Sequence, residues 1–305
     1  MKRFCYTSLF FGVLLFFIMI GADAIISYQL HRNKDRVYNS WNYIFYDTIC
    51  NDLVINGSSR AWVQYSPQIL DSVLFTNSYN LGIDGSGINR QIIKYNTYCR
   101  FHGIPKFLIQ NIDIFSLGVT RGYEREQFFP YFYDKEFLST IDRYEKFSIF
   151  EKHIPFYRYV GANPMQKLNA SNQVWTKKGY CGMECQWDGS LFSKVDTIYA
   201  TLDTILYKEF HAFLQEQITK GTKVIFVYAP MYHGVTEKCV NMDEMYETYE
   251  QLATEFDIPI LNYNELSICY DTTYFYNATH LNKEGAEIFS KQLAHDIDSL
   301  GIIKN

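Results

Sequence analysis

The chain has 305 residues, enough for one α/β domain with an insertion and for a full hydrophobic core. Its formal charge is −5, from 28 basic and 33 acidic residues, and no block of like charge occurs along it, which argues against a nucleic-acid-binding surface. Aromatic residues make up 18% of the chain and charged residues only 20%, a composition that excludes a disordered, collagen-like or coiled-coil protein.

The first 28 residues predict a membrane anchor. Two basic residues precede an apolar stretch, residues 4–28, that is interrupted by a single acid, Asp23. The length matches the roughly 20–25 residues that cross a bilayer. The alternative is a signal peptide cleaved after Ala22-Asp23-Ala24. We favour the anchor, and both interpretations place residues 29–305 outside the cytoplasm, in a single-pass membrane protein or a secreted one.

Strand and helix patterns alternate after the anchor. A short apolar run over residues 52–56 predicts a buried strand that ends in a serine-containing turn, and Pro67 suits the first position of the helix that follows. The next predicted elements are a strand-to-loop unit over 79–85, a helix over 88–100 and a strand over 106–113. This alternation predicts an α/β fold with a central parallel sheet.

The alternation breaks between about residues 118 and 195, which we interpret as an insertion lying over the sheet. Its frequent aromatic side chains either stack on sugar rings or pack the insertion itself. The pattern then resumes with predicted helices over 196–219, 242–256 and 282–300 and predicted strands over 223–230 and 258–262. No internal repeat is found, so residues 29–305 are expected to form one domain with this insertion.

Six cysteines follow the anchor, an even number that suits disulfide bonds in an oxidising compartment. They permit 15 pairings, among which the sequence does not choose. Cys181 and Cys185 have the spacing of half a metal site, but no second pair of ligands follows, so no metal is expected. No phosphate-binding loop, dinucleotide fingerprint or zinc motif occurs, so no cofactor is expected.

Polar residues stand at the predicted carboxyl ends of the strands, where ligands bind in open parallel sheets. Nucleophilic attack on an ester carbonyl requires groups of the kinds found here: a serine, a glycine amide, an asparagine and a histidine. In chain order, the residues are Ser59 after the first strand, Gly85 after the second, Asn111 at the third and His280 in the last loop.

The order of these motifs resembles the SGNH (GDSL-type) hydrolase superfamily, from about Leu53 to the last helix and outside the insertion. The matching stretches are Gly57-Ser58-Ser59, Asn80-x-Gly82-x-x-Gly85, Asn111 and His280. The resemblance implies a three-layer α/β/α, flavodoxin-like fold. It also implies that Ser59 is the nucleophile, that His280 is the base, and that the Ser59 and Gly85 amides and the Asn111 side chain form the oxyanion hole.

The Gly-Ser-Ser opening, the anchor and the His280-Leu-Asn-x-x-Gly-Ala ending most resemble the membrane-anchored branch of that superfamily. This branch includes the D-alanyl-lipoteichoic acid transfer proteins and alginate O-acetylation proteins. The resemblance implies an esterase or O-acyltransferase, with acetyl as the expected acyl group and an acylated envelope glycan as the substrate. A membrane-bound O-acyltransferase is the implied partner. Sequons at Asn56 and Asn277 fall inside this site, where a glycan would block it, so a bacterial envelope is favoured over a eukaryotic secretory pathway.

One position departs from the family pattern. The residue three before the histidine is an aspartate in the family and Asn277 here. An asparagine can orient an imidazole but offers it no negative charge. Three alternatives follow: a working Ser-His-Asn site, an acid supplied from elsewhere such as Asp271, or a degenerate site that binds a glycan or assists an acyltransferase.

Three further residues are candidates for contact with a polar substrate. Arg60 and Asp84 flank the nucleophile and the oxyanion glycine, and His233 follows the strand over 223–230. For Arg60 and Asp84 the alternative is an ordinary solvated loop charge.

Overall fold

A computed structural model of the chain describes residues 1–119, 125–162, 177–189 and 196–303. The chain divides into two compact units. The first consists of residues 1–43 and 122–175, and the second of residues 44–121 and 176–305. The predicted insertion therefore contributes residues 125–162 to the first unit and residues 177–189 to the second.

The elements of the described residues are as follows. The helices are α1 (Lys2–His31), α2 (Arg36–Tyr46), α3 (Ser59–Gln64), α4 (Pro67–Leu74), α5 (Ile88–His102), α6 (Lys135–Glu145), α7 (Ile149–His153), α8 (Thr204–Thr219), α9 (His233–Lys238), α10 (Met242–Phe256) and α11 (Lys283–Ser299). The strands are β1 (Leu53–Asn56), β2 (Ser78–Asn80), β3 (Phe107–Asn111), β4 (Lys223–Tyr228), β5 (Ile260–Asn262), β6 (Phe275–Asn277) and β7 (His280–Leu281). Short 3₁₀ helices lie at Arg125–Tyr131, Tyr157–Tyr159, Ser267–Tyr270 and Thr272–Tyr274.

The second unit is built on a five-stranded parallel sheet of order β2-β1-β3-β4-β5. This is the order of flavodoxin-like doubly wound folds, and it confirms the predicted α/β class. Alternate residues of each strand point to opposite faces. On one face, Ile55 and Ile109 belong to the same buried cluster as Phe289 of α11. On the other, the Phe226 ring lies 5.9 Å from that of Phe210 in α8. Helices therefore cover both faces, which makes the architecture three-layered.

One predicted helix begins later than expected. The pattern over 196–219 predicts a single long helix, whereas α8 begins at Thr204. The Asp203 carboxylate accepts hydrogen bonds from the backbone N–H groups of Ile205 and Leu206 and so caps the helix there. Ile198 instead makes a β-bridge with Cys239, which holds the preceding segment extended.

Aromatic side chains from the predicted insertion form the core of the first unit. The Trp41 ring lies 5.6 Å from Phe128 and 5.3 Å from Phe137, and its Nε1–H donates to Gln127 Oε1 at 2.9 Å. Phe128 and Tyr131 are 2% and 0% exposed. These buried rings pack the core of the first unit; Trp175 lies outside the described residues.

The segment around Lys178 lies along the β2 edge of the sheet in the second unit. The backbone N–H of Asn80, on edge strand β2, donates to the Lys178 carbonyl at 2.9 Å. The Lys178 ammonium pairs with Asp71 of α4 at 2.6 Å. An uncovered edge strand would offer unpaired backbone groups to another chain, so this segment protects the sheet.

Candidate active site

The turn between β1 and α3 presents Ser59. Ser58 is the N-cap of α3, and Ser59 is its first residue. The turn is close-packed because a Cβ on Gly57 would lie 2.7 Å from the Cβ atoms of both Ala61 and Asn111. A glycine is therefore required between the strand and the nucleophile turn, and this fixes where α3 begins.

Ser59 and His280 are 221 residues apart in the sequence and are hydrogen-bonded in the structure. Ser59 Oγ lies 2.7 Å from His280 Nε2. His280 opens β7, which pairs with β6 in an antiparallel hairpin that sets Asn277 opposite His280. Ser59 and His280 are both half-buried residues.

Asn277 fixes the tautomer of His280. Its Oδ1 accepts the backbone N–H of Thr279 at 3.0 Å, which identifies that atom as the oxygen of the amide. The same oxygen lies 2.8 Å from His280 Nδ1, so Nδ1 must carry the proton and donate. The neutral ring then has its lone pair on Nε2, where it faces the Ser59 hydroxyl. This is the arrangement of a general base with its serine.

The surroundings of His280 disfavour its charged form. Burial, and in second place the charge of Arg60, lower the pKa of His280 to about 3. The Tyr276 ring stacks on the imidazole, with 5.3 Å between centroids and 26° between planes. Thr279 Oγ1 lies 2.9 Å from Nδ1. The histidine is thus held neutral and fixed in orientation.

Arg60 is buried beside this pair. It is 2% exposed, and its guanidinium donates to the carbonyls of Ala229 and Pro230 while lying 5.2 Å from the Tyr228 ring centroid. Within the described residues, its Nε and Nη1 atoms make no hydrogen bond. The guanidinium of Arg60 is therefore buried and is not available for the predicted contact with a substrate. Its positive charge instead lowers the pKa of His280.

Two backbone N–H groups are available for an oxyanion. Within the described ranges, neither the Ser59 nor the Gly85 N–H donates a hydrogen bond. The loop bearing Gly85 lies along the nucleophile turn, since the Ile83 N–H donates to the Gly57 carbonyl at 3.1 Å. Gly82 makes this approach close, because a Cβ there would lie 2.3 Å from the Trp62 nitrogen. Gly85 itself has φ of +61°, a conformation that favours glycine.

Asn111 occupies a buried polar network. It is fully buried, its Oδ1 accepts the Tyr65 hydroxyl at 2.7 Å, and its Nδ2 lies 3.4 Å from Asp113 Oδ2. The Asn111 side chain thus has partners in this structure, and its role in an oxyanion hole stays a prediction.

Asp271, the aspartate predicted as a substitute for the missing acid, does not bind His280, and neither does Asp113, which follows β3. Asp271 accepts from the backbone N–H and the hydroxyl of Thr273. Asp113 accepts the hydroxyl of Ser58 at 2.8 Å. Neither makes a hydrogen bond with His280 among the described residues, whereas Asn277 does.

The remaining predicted residues lie around the same sheet edge. Asp84 is partly exposed in the turn that contains Gly85. His233 stacks on the Tyr270 ring at 4.8 Å, and its Nδ1 lies 3.4 Å from the Cys269 carbonyl. The structure therefore brings Ser59, His280 and Asn277 into one hydrogen-bonded chain, and the contacts of His233 are with Tyr270 and Cys269.

Sequence reasoning missed three contributors to the site. Tyr276 and Thr279 contact His280, and Ser58 links the nucleophile turn to Asp113. Proximity to the histidine in sequence was the available signal for the first two. No signal in the sequence indicated the hydrogen bond from Ser58 to Asp113, because it depends on the pairing of β1 with β3.

The chain has matches to known proteins in structure but not in sequence. No protein-family model matches it, and no curated protein matches it significantly in sequence. Among solved structures, it is similar to a protein of the G-D-S-L family from Desulfitobacterium hafniense DCB-2, at 11% identity and a TM-score of 0.41, with 80% of this chain and 97% of that chain covered. It is also similar to the acetyl xylan esterase AlAXEase, at 10% identity and a TM-score of 0.42, with 81% and 98% covered.

Proposed function

We propose that this chain is a membrane-anchored, extracytoplasmic serine esterase or O-acyltransferase of the SGNH type, acting on an O-acylated envelope polysaccharide. The observation that carries the proposal is the chain of hydrogen bonds from Ser59 through His280 to Asn277, at 2.7 and 2.8 Å. A serine bonded to the free nitrogen of an oriented neutral histidine is the arrangement that nucleophilic acyl transfer requires.

In this mechanism His280 Nε2 takes the Ser59 proton as Ser59 Oγ attacks the acyl carbonyl carbon. The Ser59 and Gly85 N–H groups stabilise the resulting oxyanion, together with the predicted Asn111 side chain. His280 then returns the proton to the departing alcohol, which leaves an acyl-enzyme on Ser59. Water as the acceptor gives an esterase, and a sugar hydroxyl gives a transferase.

Anchoring by α1 is part of the same proposal. This helix contains a stretch long and apolar enough to span a membrane, a property it shares with signal sequences. Retention of the helix is supported by Asp23, whose carboxylate pairs with Arg158 at 2.5 Å and accepts the Phe156 N–H at 2.8 Å. Cleavage after Ala24 would remove Asp23 and leave Arg158 without this partner, so the helix suits an uncleaved anchor better than a signal peptide.

The test is labelling of the full chain, in detergent or bilayers, with a fluorophosphonate probe, alongside hydrolysis of p-nitrophenyl acetate. Both should be lost in Ser59→Ala, because the nucleophile is gone, and only reduced in Ser58→Ala, which keeps Ser59 but loses the helix cap and the hydrogen bond to Asp113. Loss in both variants alike would point to a disturbed turn. Failure of the folded wild-type chain to label would contradict an independent catalytic site.

A second candidate function is a catalytically degenerate protein that binds a glycan or assists a membrane-bound O-acyltransferase. It is favoured by Asn277, which gives the imidazolium no counter-charge. Binding of acetylated oligosaccharide by a chain that shows neither labelling nor turnover would support it.

A further inference from the structure

The exposed apolar stretch of α1 ends close to a second exposed apolar surface in the first unit. Residues 4–22 contain no charge and, at about 1.5 Å per residue, extend about 28 Å, close to the roughly 30 Å hydrocarbon thickness of a bilayer. Asp23 is the first charged residue after this stretch. If α1 spans a membrane, Asp23 therefore marks the outer boundary of the hydrocarbon.

A short segment of the first unit is bonded to α1 at this level. The Phe156 N–H and the Arg158 guanidinium both donate to the Asp23 carboxylate, and Tyr159 Oη lies 2.8 Å from Ser27 Oγ. Asp23 and Ser27 are separated by about 6 Å along the helix axis. The polar layer of one leaflet is about 5–8 Å thick, so this segment falls within the headgroup region.

Four large apolar side chains are exposed on and beside this segment. We call them the interfacial patch. They are Ile149 (60% exposed), Phe150 (51%), Tyr157 (41%) and Val160 (63%). The Phe150 and Tyr157 rings pack together, with 5.6 Å between centroids, so the patch is continuous across α7 and the following 3₁₀ helix.

Three cationic side chains within or beside the patch form ion pairs. Arg158 is bonded to Asp23, and Arg125 pairs with Glu151 at 2.5 Å. Lys152 pairs with Asp142 at 2.7 Å. Neutralised charges beside exposed aromatic and aliphatic side chains suit the boundary between headgroups and acyl chains, where aromatic residues are enriched in membrane proteins.

We propose that the interfacial patch inserts into the outer interface of the same bilayer that α1 spans, so that the first unit is held against the membrane. The inference rests on the proposed anchoring by α1. It goes beyond anchoring, because it assigns a lipid-contacting role to residues more than 100 positions away from the anchor in the sequence.

Photo-crosslinking tests the proposal on the full chain in phosphatidylcholine bilayers that contain an alkyne-tagged phosphatidylcholine. The photoreactive residue p-benzoylphenylalanine replaces Phe150 in one variant and Tyr133 in a matched control. Tyr133 is similarly exposed, at 57%, but its ring lies 5.9 Å from His31, about 12 Å further along α1 from Asp23. Position 150 should give several-fold more lipid adduct than position 133.

Equal adduct at the two positions would overturn the proposal, as would crosslinking of position 150 to a second copy of the chain. Resistance of the wild-type chain to alkaline extraction from the same bilayers measures the anchoring separately. Extraction of the chain would contradict the anchoring by α1. Retention of the chain with no excess adduct at position 150 would contradict only the lipid contact of the interfacial patch.

Discussion

At the scale of single residues, the unusual feature is a neutral amide in the position where an acid would stabilise the protonated base. The Asn277 amide orients His280 as an aspartate would, through Nδ1. Because the amide carries no charge, the protonation of the His280 ring depends on its burial and on the charge of Arg60. Both of these lower the pKa of His280.

This predicts an unusual dependence of activity on pH. A base must be unprotonated to act, and a histidine with a pKa of about 3 stays mainly unprotonated from pH 6.5, its ordinary pKa, down to about pH 3. The acid limb of the kcat/KM profile should therefore lie below about pH 5. Arg60→Met should move that limb to higher pH, since it removes a charge that disfavours the imidazolium. A limb near pH 6.5 in the wild type would contradict the prediction.

Asn277→Asp should increase activity. A carboxylate at the same position would stabilise the imidazolium, raise the pKa of His280 and make it a stronger base. The reverse change in a serine protease costs about 10⁴ in turnover, which is the upper bound of the gain expected here. Esterase kinetics at pH 7 measure the gain, with Asn277→Ala as the control that should lose activity. No gain in a folded Asn277→Asp variant would show that charge at this position does not limit the rate.

At the scale of elements, the site depends on how closely the loop after β2 approaches α3. Gly82 lies against the backbone of Trp62, and the Asn80 side chain ties the loop to α3 through the Ala61 carbonyl at 2.7 Å. The positions of Ser59 and Gly85 are thus set by the packing of the loop after β2 against α3.

Gly82→Ala should disturb this contact. The added methyl would meet the Trp62 nitrogen at 2.3 Å and its Cα at 2.6 Å, and backbone atoms yield less readily than a flexible side chain. Overpacking of this kind costs about 1–3 kcal/mol of unfolding free energy. Thermal unfolding of the full chain in detergent measures it, and Gly21→Ala, with nothing within 4 Å of the new methyl, is the neutral control. Equal melting temperatures for the two variants would argue against the close contact.

At the scale of the whole molecule, the proposed catalytic site and the proposed membrane anchor belong to different units. All the candidate site residues belong to the second unit, and α1 belongs to the first. The first unit is formed by segments far apart in sequence, which the partly buried ion pair between Asp23 and Arg158 joins.

Asp23→Asn should weaken the first unit without disabling the site. The amide keeps an acceptor for the Phe156 N–H but leaves Arg158 without its counter-charge, at an estimated cost of about 1–3 kcal/mol for a partly buried pair. Limited proteolysis should cut residues 125–162 faster, while Ser59 still labels with fluorophosphonate. Arg158→Met in the same background should restore part of the resistance, since it removes the unpaired charge. Unchanged proteolysis in Asp23→Asn would show that the pair contributes little.

The α/β class, most helix and strand positions, the apolar N-terminal helix and the order of the site motifs can be predicted from the amino-acid sequence. These follow from local signals: the period of the apolar residues, the glycine and proline positions and the capping residues. The predicted helix over 196–219 is wrong only at its start, because the Asp203 cap begins α8 at Thr204.

The contacts made by the site residues follow from the three-dimensional fold and not from the sequence. Asn277 contacts His280 while Asp271 binds Thr273, Arg60 is buried, Asn111 lies in a polar network, and the insertion divides between two units. Some of these contacts join residues that are far apart in the chain. Others involve one of two nearby residues, such as Asn277 and Asp271, either of which could have contacted His280 as far as the sequence shows. Their energies depend on burial and distance, which no local pattern encodes.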